Sequence, residues 1–203
     1  MARIYPYVGP PSIAARVADR PAGFPVQSSQ DVRRWIRGTG QTVNPEGQVI
    51  ATFVVDESGV LRIADRRNEH VACAGGKPVL SAGEITFSVT PKQVTAEWVT
   101  NQSTGYCPEP ESWPAVEKAL APAGIPAPLR FSQEFAFRKC VHCGEINIVK
   151  DDYFVCAICS EALPMEWNVS CGPVSASEGV HQGGDATDIL ITSRSVPSDD
   201  SGP

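Results

Sequence analysis

The sequence has no apolar run long enough to cross a bilayer, which excludes a helical membrane anchor as its organising feature. Its first residues, MARIYPYVGPPSIAARVADR, hold no uninterrupted apolar stretch of the kind that forms a signal-peptide core. A cytoplasmic location is therefore expected, and no membrane partner. Strong helical periodicity is also scarce. With 17 glycines and 18 prolines in 203 residues, the chain reads as short strands and turns rather than a bundle. Nothing recurs at the fixed period of a solenoid or propeller. The hydrophobic share of 42% is still ample for a packed core, so global disorder is excluded.

Two pairs of strand-like segments organise the first two thirds. VIATFVV (49–55) and VLRIA (60–64) flank DESG, and EITFSV (84–89) and VTAEWVT (94–100) flank TPKQ. Each pair reads as a hairpin on a short loop, so the sheet is antiparallel. SSQDVRRWIRGTG predicts a helix capped by Ser28 or Ser29, with Val32, Trp35 and Ile36 as its apolar stripe and Gly38 as its end. Its arginines Arg33, Arg34 and Arg37 read as a solvated face, with an anion-binding patch as the lesser reading. ESWPAVEKALAPAGI (111–125) predicts a second helix, with Ser112 as N-cap, Pro114 in its first turn and Trp113, Val116 and Leu120 towards the sheet. Residues 1–27 are expected to wrap over the surface.

The fold class expected is mainly β (α+β): an antiparallel sheet or partly open barrel with two short helices, plus a small cysteine module. The expected division is 1–130 for the sheet domain, 131–170 for the module, and 171–203 as a flexible Ser/Gly/Asp-rich tail.

That module carries the most specific chemistry. KCVHCGEINIVKDDYFVCAICSEAL contains Cys-x2-Cys, twelve residues, then Cys-x2-Cys. Two residues between cysteines let both sulfurs point to one place, and two such knuckles supply the four thiolates that Zn2+ prefers in a closed structural site. Cys140, Cys143, Cys156 and Cys159 are the expected ligands of a zinc ribbon, with Gly144 permitting the positive φ of the first knuckle. INIV and YFVC, joined by KDD, are expected to pair and hold the knuckles face to face. His142, inside the first knuckle, is surplus to a filled shell and reads as solvent-facing. Seven cysteines in a reducing compartment point to metal or chemistry before disulfides.

Charge suggests what kind of partner to expect. Residues 1–40 hold six Arg against two Asp, residues 131–170 hold three Lys or Arg against six Asp or Glu, and residues 171–203 hold one Arg against five acids. A nucleic-acid ribbon places basic groups where phosphates lie, and this one does not. The expected partner is another protein.

HVACAGGKPVLSAGEITF (70–87) and NQSTGYCPEP (101–110) form a second constellation at strand ends, where a rigid sheet commonly presents functional groups. Three chemical readings of it compete with a structural one. His70 and Cys73, with Cys107, would be a second metal site. Cys73 or Cys107 would be a nucleophile with His70 as base and Asn101 as orienter. His70, Ser103, Tyr106 and the glycine-rich turn would bind a small ligand. In the structural reading, Gly75, Gly76 and Gly83 serve tight turns, and His70, Asn101 and Tyr106 hydrogen-bond across them.

On His70, Ala74, Gly75, Gly76, Ala82, Gly83, Glu84, Asn101, Ser103, Tyr106 and Pro108, the segment resembles a module of plant IQ-motif calmodulin-binding proteins and of bacterial toxin-like C-terminal regions. Val71-Ala72 and Thr104-Gly105 depart from that pattern. The resemblance spans about 45 residues and implies a shared fold rather than a reaction. No IQ-type basic helix is present, so calmodulin binding is not implied. Two functions follow as expectations. The first is a zinc-binding protein-interaction or accessory protein of bacterial type, docking through ribbon and sheet surface. The alternative is a small enzyme or toxin-like domain, with His70, Ser103 and Tyr106 as its candidate catalytic residues.

Overall fold

A computed structural model describes residues 3–170. The expected tail, 171–203, lies outside the described residues.

A five-stranded antiparallel sheet organises the chain, in the order β1 (Phe24–Val26), β3 (Leu61–Asp65), β2 (Gln48–Asp56), β4 (Val79–Val89), β5 (Val94–Val99). The two expected hairpins are β2–β3 and β4–β5, and β2 pairs with β4 to join them. Strands β1 and β5 remain edges, so the sheet is open and not a closed barrel. The first hairpin turn is built by Asp56, whose Oδ1 accepts the N–H groups of Ser58 and Val60, both at 3.0 Å.

Strand β2 is a nearly continuous apolar run because both of its faces are covered. On one face Val49, Ala51, Phe53 and Val55 meet Val32 and Trp35 of helix α2 (Ser29–Thr39) and Trp113, Val116 and Leu120 of helix α4 (Trp113–Leu120). On the other face Val54 meets Tyr5, Val79, Ala82 and Tyr106, together with helix α1 (Pro11–Val17) and the one-turn helix α3 (His70–Cys73). The period-2 alternation of a strand sends neighbouring residues into two separate cores.

Among the described residues there are four short helices rather than the two expected. The two extra ones are α1, which begins at Pro11 where proline's missing N–H and fixed φ suit a first turn, and α3, too short to show periodicity. Residues 1–27 thus hold a helix and an edge strand rather than only a surface wrap. Helix α2 ends two residues later than predicted, at Gly40 with φ 64°, not at Gly38. Ser28 and Ser112 hold the N-cap positions as expected, but neither side chain makes a capping hydrogen bond. Ser28 Oγ instead donates to Asp31 at 2.8 Å, and Ser112 Oγ meets Ser81 Oγ at 3.0 Å across a buried contact.

After α4 the chain passes along β5, where Ser132 N–H donates to Val99 O at 2.7 Å, and enters a two-stranded sheet, β6 (Ala136–Lys139) with β7 (Ile146–Val149). Asn101, fully buried, fastens this passage. Its amide donates to Pro108 O and Phe135 O, and its carbonyl accepts Phe135 N–H, each at 2.8 Å. Cys107, Phe137 and Val169 form a small core beneath, and Trp167 Nε1–H donates to Cys107 O at 2.8 Å.

Candidate metal centre

Strand β6 delivers Cys140 into a tight loop in which Cys140 N–H donates to Glu145 O at 2.8 Å and Gly144 N–H to Cys140 O at 2.9 Å. The second loop repeats this wiring: Cys156 N–H donates to Glu161 O at 2.8 Å, and Ser160 N–H to Cys156 O at 3.0 Å. Gly144 and Ser160 hold matching left-handed positions, with φ of 78° and 63°. The sequence carries the repeat in plain sight, as CVHCGE (140–145) and CAICSE (156–161), a signal that scanning for long periods passes over.

The two loops bring Sγ of Cys140, Cys143, Cys156 and Cys159 within 4.8 Å of one another. Cys140 and Cys159 approach to 3.5 Å and Cys143 and Cys156 to 3.6 Å, too far for disulfides and near the ~3.8 Å edge of a tetrahedron with metal–sulfur bonds of about 2.3 Å. The donor set therefore fits a soft divalent ion. Backbone geometry already favours thiolates: the Cys159 N–H lowers Cys156 to about 6 despite burial, with the Ile158 N–H and Asn147 adding to it. Cys159 goes the other way, to about 12, since burial and the three neighbouring sulfurs outweigh the Glu161 N–H. Four sulfurs this close resist carrying four charges until a cation shares them.

Strand pairing differs from expectation. INIV does pair, but with AFRK before the first knuckle, register Phe137 to Ile148, and YFVC contributes only a bridge from Val155 to Ala162. The KDD turn has Asp151 and Asp152 both left-handed, at φ 51° and 54°, with Tyr153 N–H donating to Lys150 O at 2.9 Å; the chain turns back there, yet YFVC forms no ladder with β7. His142 is exposed and outside the cluster.

Sequence reasoning missed Asn147 and Arg138. Asn147 is buried on β7, donates to Cys156 Sγ at 3.5 Å and accepts Ala157 N–H at 2.9 Å. Arg138, also buried, donates through Nε and Nη2 to Met165 O at 3.1 and 2.8 Å, tying the segment after the second knuckle to β6. No local pattern announces either role.

The second constellation divides between two cores, with Cys73 and Tyr106 in one and Cys107 in the other. His70 Nε2 bonds Gly83 O at 3.0 Å, so the ring donates there as the neutral tautomer, and burial lowers its pKa. Tyr106 is fully buried and its hydroxyl donates to Lys77 O at 2.8 Å. Cys73 and Cys107 lie in different cores, and burial pushes each thiol up to about 12. Among the described residues neither joins His70 in a cluster able to hold an ion. His70 and the Thr104–Gly105 turn do share a hollow, but one of only about 70 Å3, whereas ligand pockets run to several hundred. Ser103 is buried, and its Oγ has no hydrogen-bond partner. Gly83 is required by packing: a Cβ there would lie 1.9 Å from Thr100 O.

No known protein family, curated protein or solved structure matches the chain. None supports the IQ-motif or toxin-like resemblance.

Proposed function

We propose that the chain holds one Zn2+ on Cys140, Cys143, Cys156 and Cys159 as a structural zinc ribbon, and that it is a bacterial-type interaction or accessory protein. The convergence of the four Sγ atoms carries this reading. Bound there, the ion supplies cross-linking rather than reactivity, because four protein ligands leave no position for water or substrate. It also supplies folding free energy to a segment whose own core is small: Cys140, Cys156 and Leu163 are its buried members. Thiols kept for a metal suit a reducing compartment, so we place the protein in the cytoplasm. No helix among the described residues is long and apolar enough to cross a membrane.

The enzyme alternative at His70 and the Asn101–Tyr106 loop has less support. His70, Asn101 and Tyr106 each have a backbone partner that explains them, and both nearby thiols are held protonated at neutral pH. Gly83, between His70 and that loop in the chain, serves close packing, which is a structural role and not a reaction.

Elemental analysis of protein purified under reducing conditions tests the metal reading. One zinc per chain, lost in Cys143→Ser, is expected; no bound metal would overturn it. His70→Ala tests the function class. A variant that unfolds normally yet abolishes the cellular phenotype would transfer the function to the enzyme reading.

A further inference from the structure

The cysteine module leaves four large apolar side chains in water: Val141 (73% exposed), Ile158 (70%), Tyr153 (68%) and Met165 (70%). Val141 and Ile158 lie inside the two knuckle loops, and the loops converge because their sulfurs do. The small core beneath is made by Cys140, Cys156 and Leu163 with Val149, Phe154 and Cys159, so neither residue is needed to bury it. Isolated exposed apolar residues are ordinary, but here each of two converging rigid loops presents one, Val141 at the second place of its loop and Ile158 at the third place of the other.

The surroundings of that pair are acidic. Glu145, Asp151, Asp152, Glu161 and Glu166 are all exposed, and none forms an ion pair among the described residues. Over 139–166 only Lys139 and Lys150 oppose them. A metal-loaded site adds to the excess, since four thiolates more than neutralise a divalent ion. This field repels nucleic acid, anionic lipid and the same face of a second copy alike.

We propose that the knuckle face docks a cationic amphipathic peptide segment of another protein, one that sets an apolar side chain against Val141 and Ile158 and Lys or Arg against the surrounding carboxylates. The inference rests on the zinc-ribbon reading, and it adds the face used and the chemistry of the partner. An apolar contact at the centre supplies the lifetime of such a complex, while the charges set its encounter rate and its salt dependence.

The test uses the zinc-loaded full chain to pan a phage-displayed random peptide library. The best peptide is then synthesised and its binding measured by fluorescence anisotropy. Sequences rich in Lys and Arg around an apolar anchor are expected. Their affinity should fall about tenfold or more in Val141→Ser/Ile158→Ser, and similarly in Asp151→Lys/Asp152→Lys. Affinity should also weaken as salt rises from ~50 to ~300 mM. Zinc content is measured on every variant. A chain without metal overturns the ribbon reading itself. A loaded chain that selects neutral or acidic peptides, or whose peptide binding ignores all four substitutions, overturns the docking face alone. Self-association in sedimentation that disappears in Val141→Ser/Ile158→Ser would replace the foreign segment with a second copy and also overturn the proposal.

Discussion

The side-chain amide of Asn147 lies 3.5 Å from Sγ of Cys156 while its carbonyl holds Ala157 N–H at 2.9 Å, so one buried residue grips both a candidate ligand and the loop that carries it. Outer-shell partners of this kind fix ligand orientation and temper donor strength. Asn147→Ala should weaken zinc affinity by about 10- to 100-fold in a chelator competition. Asn147→Asp keeps the acceptor for Ala157 but replaces the donor to sulfur with a negative charge. It should restore loop stability while leaving affinity low, and should shift the sulfur-to-cobalt charge-transfer band of the Co2+-substituted protein. Equal zinc affinity in all three proteins would reduce Asn147 to ordinary packing.

Ser160 occupies in the second knuckle the left-handed place that Gly144 holds in the first, at φ 63° against 78°. A residue with a Cβ is strained there, and glycine is not. Ser160→Gly should raise thermal stability by an amount equivalent to about 1 kcal/mol with zinc bound, whereas Gly144→Val should lower it by more. The two substitutions act on matching positions, so opposite signs in melting experiments check the equivalence of the knuckles directly. A loss of stability in Ser160→Gly would show that the serine hydroxyl, not the backbone, decides that turn.

What the sequence displays and what it hides separate along physical lines. The hairpins were legible because VIATFVV with VLRIA and EITFSV with VTAEWVT are strand-like segments flanking the short loops DESG and TPKQ, and the ligands because a Cys-x2-Cys pair constrains its own geometry. The pairing of INIV was not legible, because the KDD turn signals a hairpin with YFVC while the strand instead takes AFRK, from before the first knuckle, as its partner. Nor was the linking role of Asn101, since its three hydrogen bonds reach Pro108 and Phe135, a contact set by tertiary folding alone. Helix α3 escaped for a simpler reason: four residues are less than two turns, too few for a period.

Asn101→Ala should be among the most damaging single changes outside the knuckles. It strands Pro108 O in a buried place and Phe135 N–H and O in a half-buried one, where an unmet polar group costs up to ~1–3 kcal/mol. A loss of roughly 3 kcal/mol is expected in urea titration, partly relieved if water enters. Because Phe135 leads into β6, exchange protection of amides in β6 and β7 should fall together with that of β5. A change confined to the 101–108 loop would contradict the linking role.

His70 gives the protein a signed dependence on pH. Burial holds its folded pKa below the ordinary 6.5, partly offset by the bond to Gly83 O, so at neutral pH the ring is uncharged in the folded chain. As pH falls through about 6.5 the unfolded chain takes up a proton that the folded one still refuses. The stabilising contribution is therefore complete above that value and is lost as pH falls towards the folded pKa. Asp31 and Asp56, whose folded pKa values are lowered, change stability only at more acid pH, while the raised Glu109 pulls in the opposite direction. Comparison with His70→Gln, which keeps a donor for Gly83 but cannot titrate, cancels these contributions and that of the thiols. The melting temperature of the wild type should drop more steeply than that of His70→Gln between pH 7.5 and 5.5, and the two curves should converge at the acid end. Parallel curves would mean that His70 is protonated as easily in the folded chain as in the unfolded one, and that the ring is open to solvent.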